Sequence, residues 1–320
     1  MSVKKFLQWI YYRCLEGVGF FFLAAMRVLP PRLFRRLCAL ISKLLIIILL
    51  SRRRILKNLS AVFGETYALA TKKGMAKGVQ EQFAKNLTDC FSQVANPEHA
   101  RETVSIEGLE NLQAGIAKGK GVLALGAHIG NFVLVGTRLR SEGYPISSLF
   151  RMPSDEGIKN LIDRILSPLR QQVIASRPRR LAVRRVLEAL KRNEIVFILG
   201  DNLKRGKIQT VLFDQNVPSP RGPVSLALRS GAALIPMYLI RNYQGGLQLV
   251  IEPEILLIRN GNMYEDITRN TRQIVRYLET LIGRYPDQWN WLTVRMKKTR
   301  AGSGLTAPRE SRPISQDRED

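Results

Sequence analysis

The sequence predicts an α/β protein: a largely parallel, mixed sheet covered by helices, preceded by an apolar helical segment that anchors it to a membrane. From residue 121 onward, short apolar runs such as 122–125 and 195–199 alternate with segments of helical periodicity. Strands that alternate with helices pair in parallel, because each helix carries the chain back to the start of the next strand. Two consecutive apolar runs, 234–240 and 247–252, flank a Gln244-Gly-Gly turn, which predicts an antiparallel pair at one side of the sheet.

The other elements follow from the same two periodicities. Short apolar runs predict strands, and apolar residues repeated every three or four positions predict helices. Further strands are predicted from residue 104 and at 146–150, 173–174 and 211–213. Helices are predicted within 53–96 and at 111–118, 132–141, 154–169, 181–192, 222–229 and 266–285. Gly231 is the expected end signal of the helix at 222–229.

Composition restricts the class of partner. The chain has 320 residues, of which 45% are hydrophobic, so it can bury one large core. Its formal net charge of +24 predicts an anionic partner, either nucleic acid or anionic lipid head groups. The three cysteines, Cys14, Cys38 and Cys90, form no Cys-x-x-Cys pair, which argues against a disulfide framework and against a metal site.

The N-terminal segment favours lipid over nucleic acid. Apolar runs at 6–12, 17–26 and 37–50 are flanked by basic residues and interrupted by Pro30-Pro31. Each run is shorter than the ~20 residues that cross a bilayer as a straight helix. We expect helices that lie in the cytoplasmic leaflet, with a single span over 6–29 or a buried helical pair as alternatives. Basic residues beside an apolar anchor bind an anionic membrane surface, whereas a nucleic-acid-binding protein needs no such anchor.

These patterns divide the chain into three parts. The membrane-anchoring helical segment is expected at 1–52 and the α/β domain at 53–298. The remaining residues, 299–320, carry Gly, Ser, Pro, Arg and Asp with almost no apolar residues, which predicts a disordered tail.

One of the two histidines lies where an α/β enzyme holds a reactive side chain. The apolar run 122–125 is followed by Gly126-Ala127, His128 and a second apolar run that starts a helix. A strand that ends in a tight turn before a helix exposes its turn residues at the edge of the sheet. Histidine has a pKa suited to a general base, so His128 is the candidate base, whereas His99 lies in a polar linker.

Five blocks in order resemble the lysophospholipid acyltransferase superfamily, and within it the branch that adds secondary acyl chains to lipid A precursors. They are Gly126-Ala-His-Ile-Gly-Asn-Phe132, Leu149-Phe-Arg-Met-Pro153, Gly200-Asp-Asn202 with residues 211–223, Gly231-Ala-Ala-Leu-Ile-Pro236, and Arg284-Tyr-Pro-Asp-Gln-Trp-Asn-Trp291. The resemblance implies a glycerolphosphate-acyltransferase-like fold at the cytoplasmic face of the inner membrane. It implies transfer of a fatty acyl group from an acyl carrier protein or coenzyme A thioester to a lipid hydroxyl, with no metal or bound cofactor. The acceptor would be a lipid A precursor or a related phospholipid or glycolipid.

The chain departs from the family pattern at the partner of the histidine. That pattern places Asp or Glu five residues after the catalytic His, and this chain has Val133 there. Three explanations stay open. Asp201 reaches His128 from a neighbouring strand and completes the catalytic pair; a backbone carbonyl orients the ring instead; or the chain binds lipid without catalysing transfer, as an impaired homologue.

Several residues are candidates for substrate binding. Arg151, at the end of a strand and before Pro153, could hold an acceptor phosphate, because a guanidinium matches phosphate geometry. Asn131 either contributes to the site or caps the next helix. Ser219, Arg221 and Gly222 either form a phosphate-binding turn or only begin a helix.

Overall fold

The computed structural model describes residues 3–96, 99–169, 171–204, 206–294 and 296, so the predicted tail at 299–320 lies outside the described residues. The helices are α1 Val3–Val28, α2 Pro31–Leu49, α3 Arg52–Phe63, α4 Leu69–Ala95, α5 His99–Thr103, α6 Leu109–Ala117, α7 Leu134–Ser141, α8 Glu156–Leu166, α9 Arg179–Lys191, α10 Gly222–Ser230 and α11 Met263–Arg284. The strands are β1 Val104–Glu107, β2 Val122–Gly126, β3 Ile146–Phe150, β4 Gln172–Ala175, β5 Ile195–Leu199, β6 Ile208–Leu212, β7 Gln215–Ser219, β8 Ala233–Arg241 and β9 Leu247–Ile251.

Seven of these strands form one mixed sheet in the order β1-β9-β8-β2-β5-β3-β4. The pairs from β8 through β2, β5 and β3 to β4 are parallel, and β8 pairs with β9 in the antiparallel sense. The prediction of a largely parallel, mixed sheet covered by helices is therefore confirmed. The edge position is taken by β1, which runs parallel to β9, so the antiparallel pair lies one strand inside the edge.

Side-chain alternation along β2 divides the core between the two faces of the sheet. Leu123 and Leu125 lie in a core with residues of α9, α10 and α11, whereas Val122 and Ala124 lie in a second core with α6 and α7. Successive residues of a strand point to opposite faces. Because helices cover both faces, every residue of β2 is buried, which explains why the strand reads as a continuous apolar run.

A second sheet consists of the hairpin β6–β7, where the sequence predicted only one short strand at 211–213. Its turn places Phe213 and Asp214 at φ values of 48° and 56°. Two consecutive residues of positive φ are typical of the tight turns that match the twist of a hairpin. Glycine, asparagine and aspartate usually occupy such positions; Asp214 fits this preference, but the bulky Phe213 before it does not, so the turn gave only a weak signal.

The helix α2 has one face packed against the rest of the molecule and one apolar face exposed. Its buried residues, Phe34, Cys38, Ser42 and Ile46, recur every four positions. Phe34 and Cys38 form a small core with Phe22 of α1 and Phe91 of α4, whereas Ile46 packs in the large core. The other face exposes large apolar side chains, namely Leu33, Leu40, Leu44, Ile47 and Ile48. The packed face agrees with the predicted buried helical pair, whereas contact of the exposed face with lipid stays a prediction.

Among the described residues, no helix combines the length and the apolarity that a membrane crossing requires. The single-span alternative is unsupported there, and the membrane-anchoring role of 1–52 stays a prediction. The boundary at residue 52 also stays a prediction.

Candidate active site

The predicted site residues follow three adjacent parallel strands. β2 and β3 both pair with β5, and the register aligns Gly126 with Leu199. The amide of Gly200 donates to the carbonyl of Gly126 at 2.8 Å, which extends the pairing past the last strand residues. His128 and Asp201, each two residues beyond this aligned pair, therefore lie at the same level of the sheet edge. Carboxyl ends of parallel strands form the usual location of ligand sites in such sheets.

His128 and Asp201 form a hydrogen-bonded pair. Nδ1 of the His128 ring lies 2.8 Å from Oδ1 of Asp201, and the backbone amide of His128 donates to Oδ2 at 2.8 Å. The Asp201 side chain is 0% exposed, whereas the ring of His128 is 29% exposed. A carboxylate only accepts hydrogen bonds, so Nδ1 must carry the proton and Nε2 of the neutral ring is left as the acceptor.

Both members of the pair have shifted pKa values. Burial lowers the pKa of His128, but the attraction of the Asp201 carboxylate and the hydrogen bond to it outweigh burial, so the pKa is raised. Burial raises the pKa of Asp201, but the charge of His128 and the hydrogen bonds from the ring, from Trp289 and from the His128 amide together lower it. The carboxylate is therefore ionised at neutral pH, as an orienting group for imidazole requires.

A C-terminal segment completes the surroundings of the pair. The indole Nε1 of Trp289 donates to Oδ2 of Asp201 at 2.8 Å. The amide of Asn290 donates to the carbonyl of His128 at 2.9 Å, and the amide of Gly130 donates to the carbonyl of Gln288 at 3.0 Å. The sequence indicated the block 284–291 as part of the resemblance but assigned its side chains no role, because no spacing rule connects an indole to a carboxylate 88 positions away.

The loop after His128 is held by α4. Asn131 is buried, and its side-chain amide donates to the carbonyl of Asn86 at 3.1 Å while its side-chain oxygen accepts from Cys90. The capping prediction for Asn131 is wrong, because the residue before α7 is Val133 and no side chain caps that helix. The side chain of Asn131 is directed into α4 and positions the loop, which argues against its predicted contact with substrate.

Gly130 allows this loop to pass close to β8. Its φ is +52°, and a Cβ atom built there would lie 1.9 Å from the carbonyl oxygen of Leu239. Any other residue would therefore displace the backbone next to His128. The sequence alone did not show this steric requirement for glycine at position 130.

Arg151 comes directly after β3 at the same sheet edge as the pair, and its side chain is exposed. α10 begins at Gly222, preceded by Arg221, and both residues are half-buried. α10 leads into β8, which is parallel to β2, so the helix begins near the carboxyl edge of the sheet. No side chain caps its N-terminus, and the first N–H groups of a helix suit an anion.

Ser219 differs from the other candidates. It is fully buried, and its hydroxyl lies 2.7 Å from the hydroxyl of Thr210 across the hairpin β6–β7. The hydroxyl joins the two strands, which argues against the predicted contact of Ser219 with substrate.

Val133 lies half-buried at the start of α7, where its carbonyl accepts a hydrogen bond from Gln171 at 2.5 Å. Lys204, on the loop after β5, also acts on the ring, and its positive charge lowers the pKa of His128. Two cavities of about 280 and 520 Å³ lie elsewhere on the described surface, and neither is lined by His128 or Asp201. Within the described part of the chain, no cluster of His, Cys, Asp and Glu is arranged to hold a metal ion.

Comparison with known proteins gives a family match over most of the chain. The family model described as "Bacterial lipid A biosynthesis acyltransferase" matches residues 4–298. Two curated relatives are "Lipid A biosynthesis palmitoleoyltransferase" of Escherichia coli (strain K12) and "Lipid A biosynthesis acyltransferase" of Shigella flexneri. Each is 24% identical over 210 residues, which cover 63% of this chain and 64% of the relative.

Among solved structures, the chain is similar to the 1-acyl-sn-glycerophosphate acyltransferase of Thermotoga maritima. The sequence identity is 13% and the TM-score is 0.33, and the match covers 77% of this chain and 98% of that one.

Proposed function

Because the chain belongs to the bacterial lipid A biosynthesis acyltransferase family, we propose that it transfers a fatty acyl group to a lipid hydroxyl. The donor in this proposal is an acyl carrier protein or coenzyme A thioester. The acceptor is a lipid A precursor or a related phospholipid or glycolipid. The observation that carries the proposal is the bond between His128 and Asp201, which supplies the carboxylate that the chain lacks at Val133.

In this reaction His128 is the general base. An alcohol is a poor nucleophile at neutral pH, so Nε2 accepts the hydroxyl proton as the oxygen attacks the thioester carbonyl. The new C–O bond forms, the C–S bond breaks, and the imidazolium returns the proton to the departing thiolate. Asp201 keeps the proton of the neutral ring on Nδ1 and stabilises the imidazolium. Its three hydrogen bonds, from His128 N, His128 Nδ1 and Trp289, keep it ionised for this role.

Acceptor phosphate has candidate partners at the same edge of the sheet. Arg151 is exposed beyond the end of β3, where its guanidinium can bind a phosphate through two hydrogen bonds. The N-terminus of α10, with Arg221 and Gly222, offers backbone N–H groups and a positive helix end. We therefore retain Arg151, Arg221 and Gly222 as substrate-binding residues and omit Ser219 and Asn131, whose side chains are buried and bonded elsewhere.

The proposed location is the cytoplasmic face of the inner membrane. The exposed apolar face of α2, together with the net charge of +24, supports contact with an anionic lipid surface. Leu40, Leu44 and Ile48 on this face are each more than half exposed, so their transfer from water to lipid is favourable.

The chain offers a matched control for the proposed base, because His99 is its only other histidine. His99 contacts Glu102 within the short helix α5, away from Asp201. Acyl transfer from an acyl carrier protein thioester to a lipid A precursor is measured for the native chain, His128→Ala and His99→Ala. We expect transfer by the native chain and by His99→Ala, and loss of at least a hundredfold in kcat for His128→Ala. Full activity of His128→Ala would remove the proposed base.

An impaired, lipid-binding homologue is the second candidate, favoured by the presence of Val133 in place of the usual acid. Val133→Glu separates the two proposals. Nδ1 of His128 already has a carboxylate partner in Asp201, so an added acid has no free ring nitrogen to orient and kcat should stay the same or fall. A gain of activity in Val133→Glu would instead indicate that Asp201 does not replace the missing acid.

A further inference from the structure

The carboxylate of Asp201 needs a second constraint to keep its orientation. The torsion that turns an aspartate carboxylate about its Cβ–Cγ bond is soft. Oδ1 accepts from the His128 ring, and Oδ2 accepts from the His128 amide at 2.8 Å. Both of these donors belong to the residue that the carboxylate has to orient, and only the backbone amide restrains the carboxylate independently of the ring.

Trp289 supplies a donor from a different part of the chain. Its indole Nε1 donates to Oδ2 at 2.8 Å, and its side chain is 0% exposed. The ring packs edge-on against Trp291 with a centroid distance of 4.9 Å. The backbone of Trp289 also forms an antiparallel bridge with Ile129, next to the histidine. This donor is therefore held rigidly at both its ring and its backbone.

We propose that Trp289 is a positioning residue: its indole N–H fixes the plane of the Asp201 carboxylate, and this holds His128 in the tautomer that carries its proton on Nδ1. The catalytic importance of Trp289 rests on the base role proposed above for His128. The tautomer itself is a property of the protein without substrate. It can therefore be tested whether or not acyl transfer is observed.

Trp291 provides the matched control. It is also 0% exposed, and its indole donates to the backbone carbonyl of Pro286 at 2.6 Å instead of to a carboxylate. Trp289→Phe and Trp291→Phe thus remove the same atoms from neighbouring buried sites. Lys204, whose charge also acts on the ring, is unchanged in both variants.

The first experiment measures the His128 tautomer by ¹⁵N NMR of the full chain in detergent, with only histidine labelled. The two histidines give separable signals, and His99→Ala assigns them. We expect the neutral His128 ring to be protonated at Nδ1 in the native chain and in Trp291→Phe, and to shift towards Nε2 protonation in Trp289→Phe. A Trp289→Phe protein that keeps the Nδ1 tautomer would overturn the proposal.

The second experiment needs no substitution, which covers the case in which Trp289→Phe does not fold. The indole N–H signals of the native chain are followed while pH is changed through the titration of His128. The Trp289 signal should move with that titration, because its acceptor carboxylate is also bonded to the titrating ring. The Trp291 signal should stay in place. A Trp289 signal that does not respond contradicts the proposal.

Kinetics then connects the tautomer to function. We expect kcat of Trp289→Phe to fall about tenfold, or about 1.4 kcal/mol, with KM unchanged, and kcat of Trp291→Phe to stay within about twofold of native. Equal losses in both variants would indicate packing alone and overturn the proposal. Failure of the acyltransferase proposal is recognised separately, by absence of transfer in the native chain.

Discussion

Replacing Asp201 with Asn tests the catalytic pair with the smallest change of shape. Three N–H groups point at the carboxylate: the His128 amide and the Trp289 indole at Oδ2, and the ring Nδ1 at Oδ1. An asparagine has one acceptor oxygen and one NH₂ group, and the NH₂ cannot accept a hydrogen bond. On one side of the former carboxylate, the NH₂ group therefore faces another hydrogen-bond donor.

The geometry decides which side that is. If the amide oxygen takes the place of Oδ1, two buried donors at Oδ2 lose their acceptor, at a cost of about 1–3 kcal/mol each. If it takes the place of Oδ2, both of those bonds persist and the NH₂ faces Nδ1. The second arrangement is favoured, because the ring can respond by moving its proton from Nδ1 to Nε2.

That tautomer has no acceptor on Nε2 and cannot remove a proton from the lipid hydroxyl. We expect kcat to fall by about 10³- to 10⁴-fold, as the wrong tautomer does in a Ser-His-Asp triad, which corresponds to about 4–5.5 kcal/mol. The fold should persist, since most of the hydrogen bonds at this site are kept.

Asp266→Asn is the control for burial and for loss of a carboxylate. Asp266, in the first turn of α11, is 5% exposed, and both its oxygens accept from the amide of Asn260. Transfer rates are measured in detergent micelles, and unfolding is followed by circular dichroism. The control should lose stability but keep kcat. The reasoning fails if Asp201→Asn retains more than about a tenth of native kcat, or if the two variants lose kcat equally.

Three further predictions concern pH, phosphate and lipid. The midpoint of the acid limb of the kcat/KM profile should lie above pH 6.5, because the pKa of His128 is raised above 6.5 and only the neutral ring accepts a proton. A midpoint below pH 6.5 would contradict this. Arg151→Ala should raise KM for a phosphorylated acceptor about fivefold, as expected for an exposed charged contact, whereas Arg184→Ala on the exposed face of α9 should leave it unchanged. Leu44→Asp should reduce co-flotation with anionic vesicles at least about tenfold, because burying a leucine is worth about 1.5–3 kcal/mol. Leu256→Asp, outside α2 and also exposed, should have no effect. Equal binding by both variants would exclude α2 as the contact.

The elements that the sequence predicted well are those whose signal is local. The strand β5 has the bounds read from its apolar run, and Gly231 ends α10 in the left-handed conformation with φ 75°. The hairpin β6–β7 was missed because its turn depends on Phe213 and Asp214, which adopt positive φ only with support from their surroundings. Glu279 of α11 accepts a hydrogen bond from the Phe213 amide at 2.9 Å, a contact between residues far apart in the chain.

The sequence by itself determined the layer order, the position of His128 after a buried strand, and the absence of an acid at Val133, because each depends on neighbours along the chain. It left open which group faces the imidazole, and only the tertiary structure decided this. Asp201 reaches the ring because β2 and β5 are adjacent and in register, and Trp289 reaches Asp201 because the segment after α11 passes under the same loop. Strand order and register arise from the packing of the whole sheet, so contacts that depend on them cannot be read from spacing.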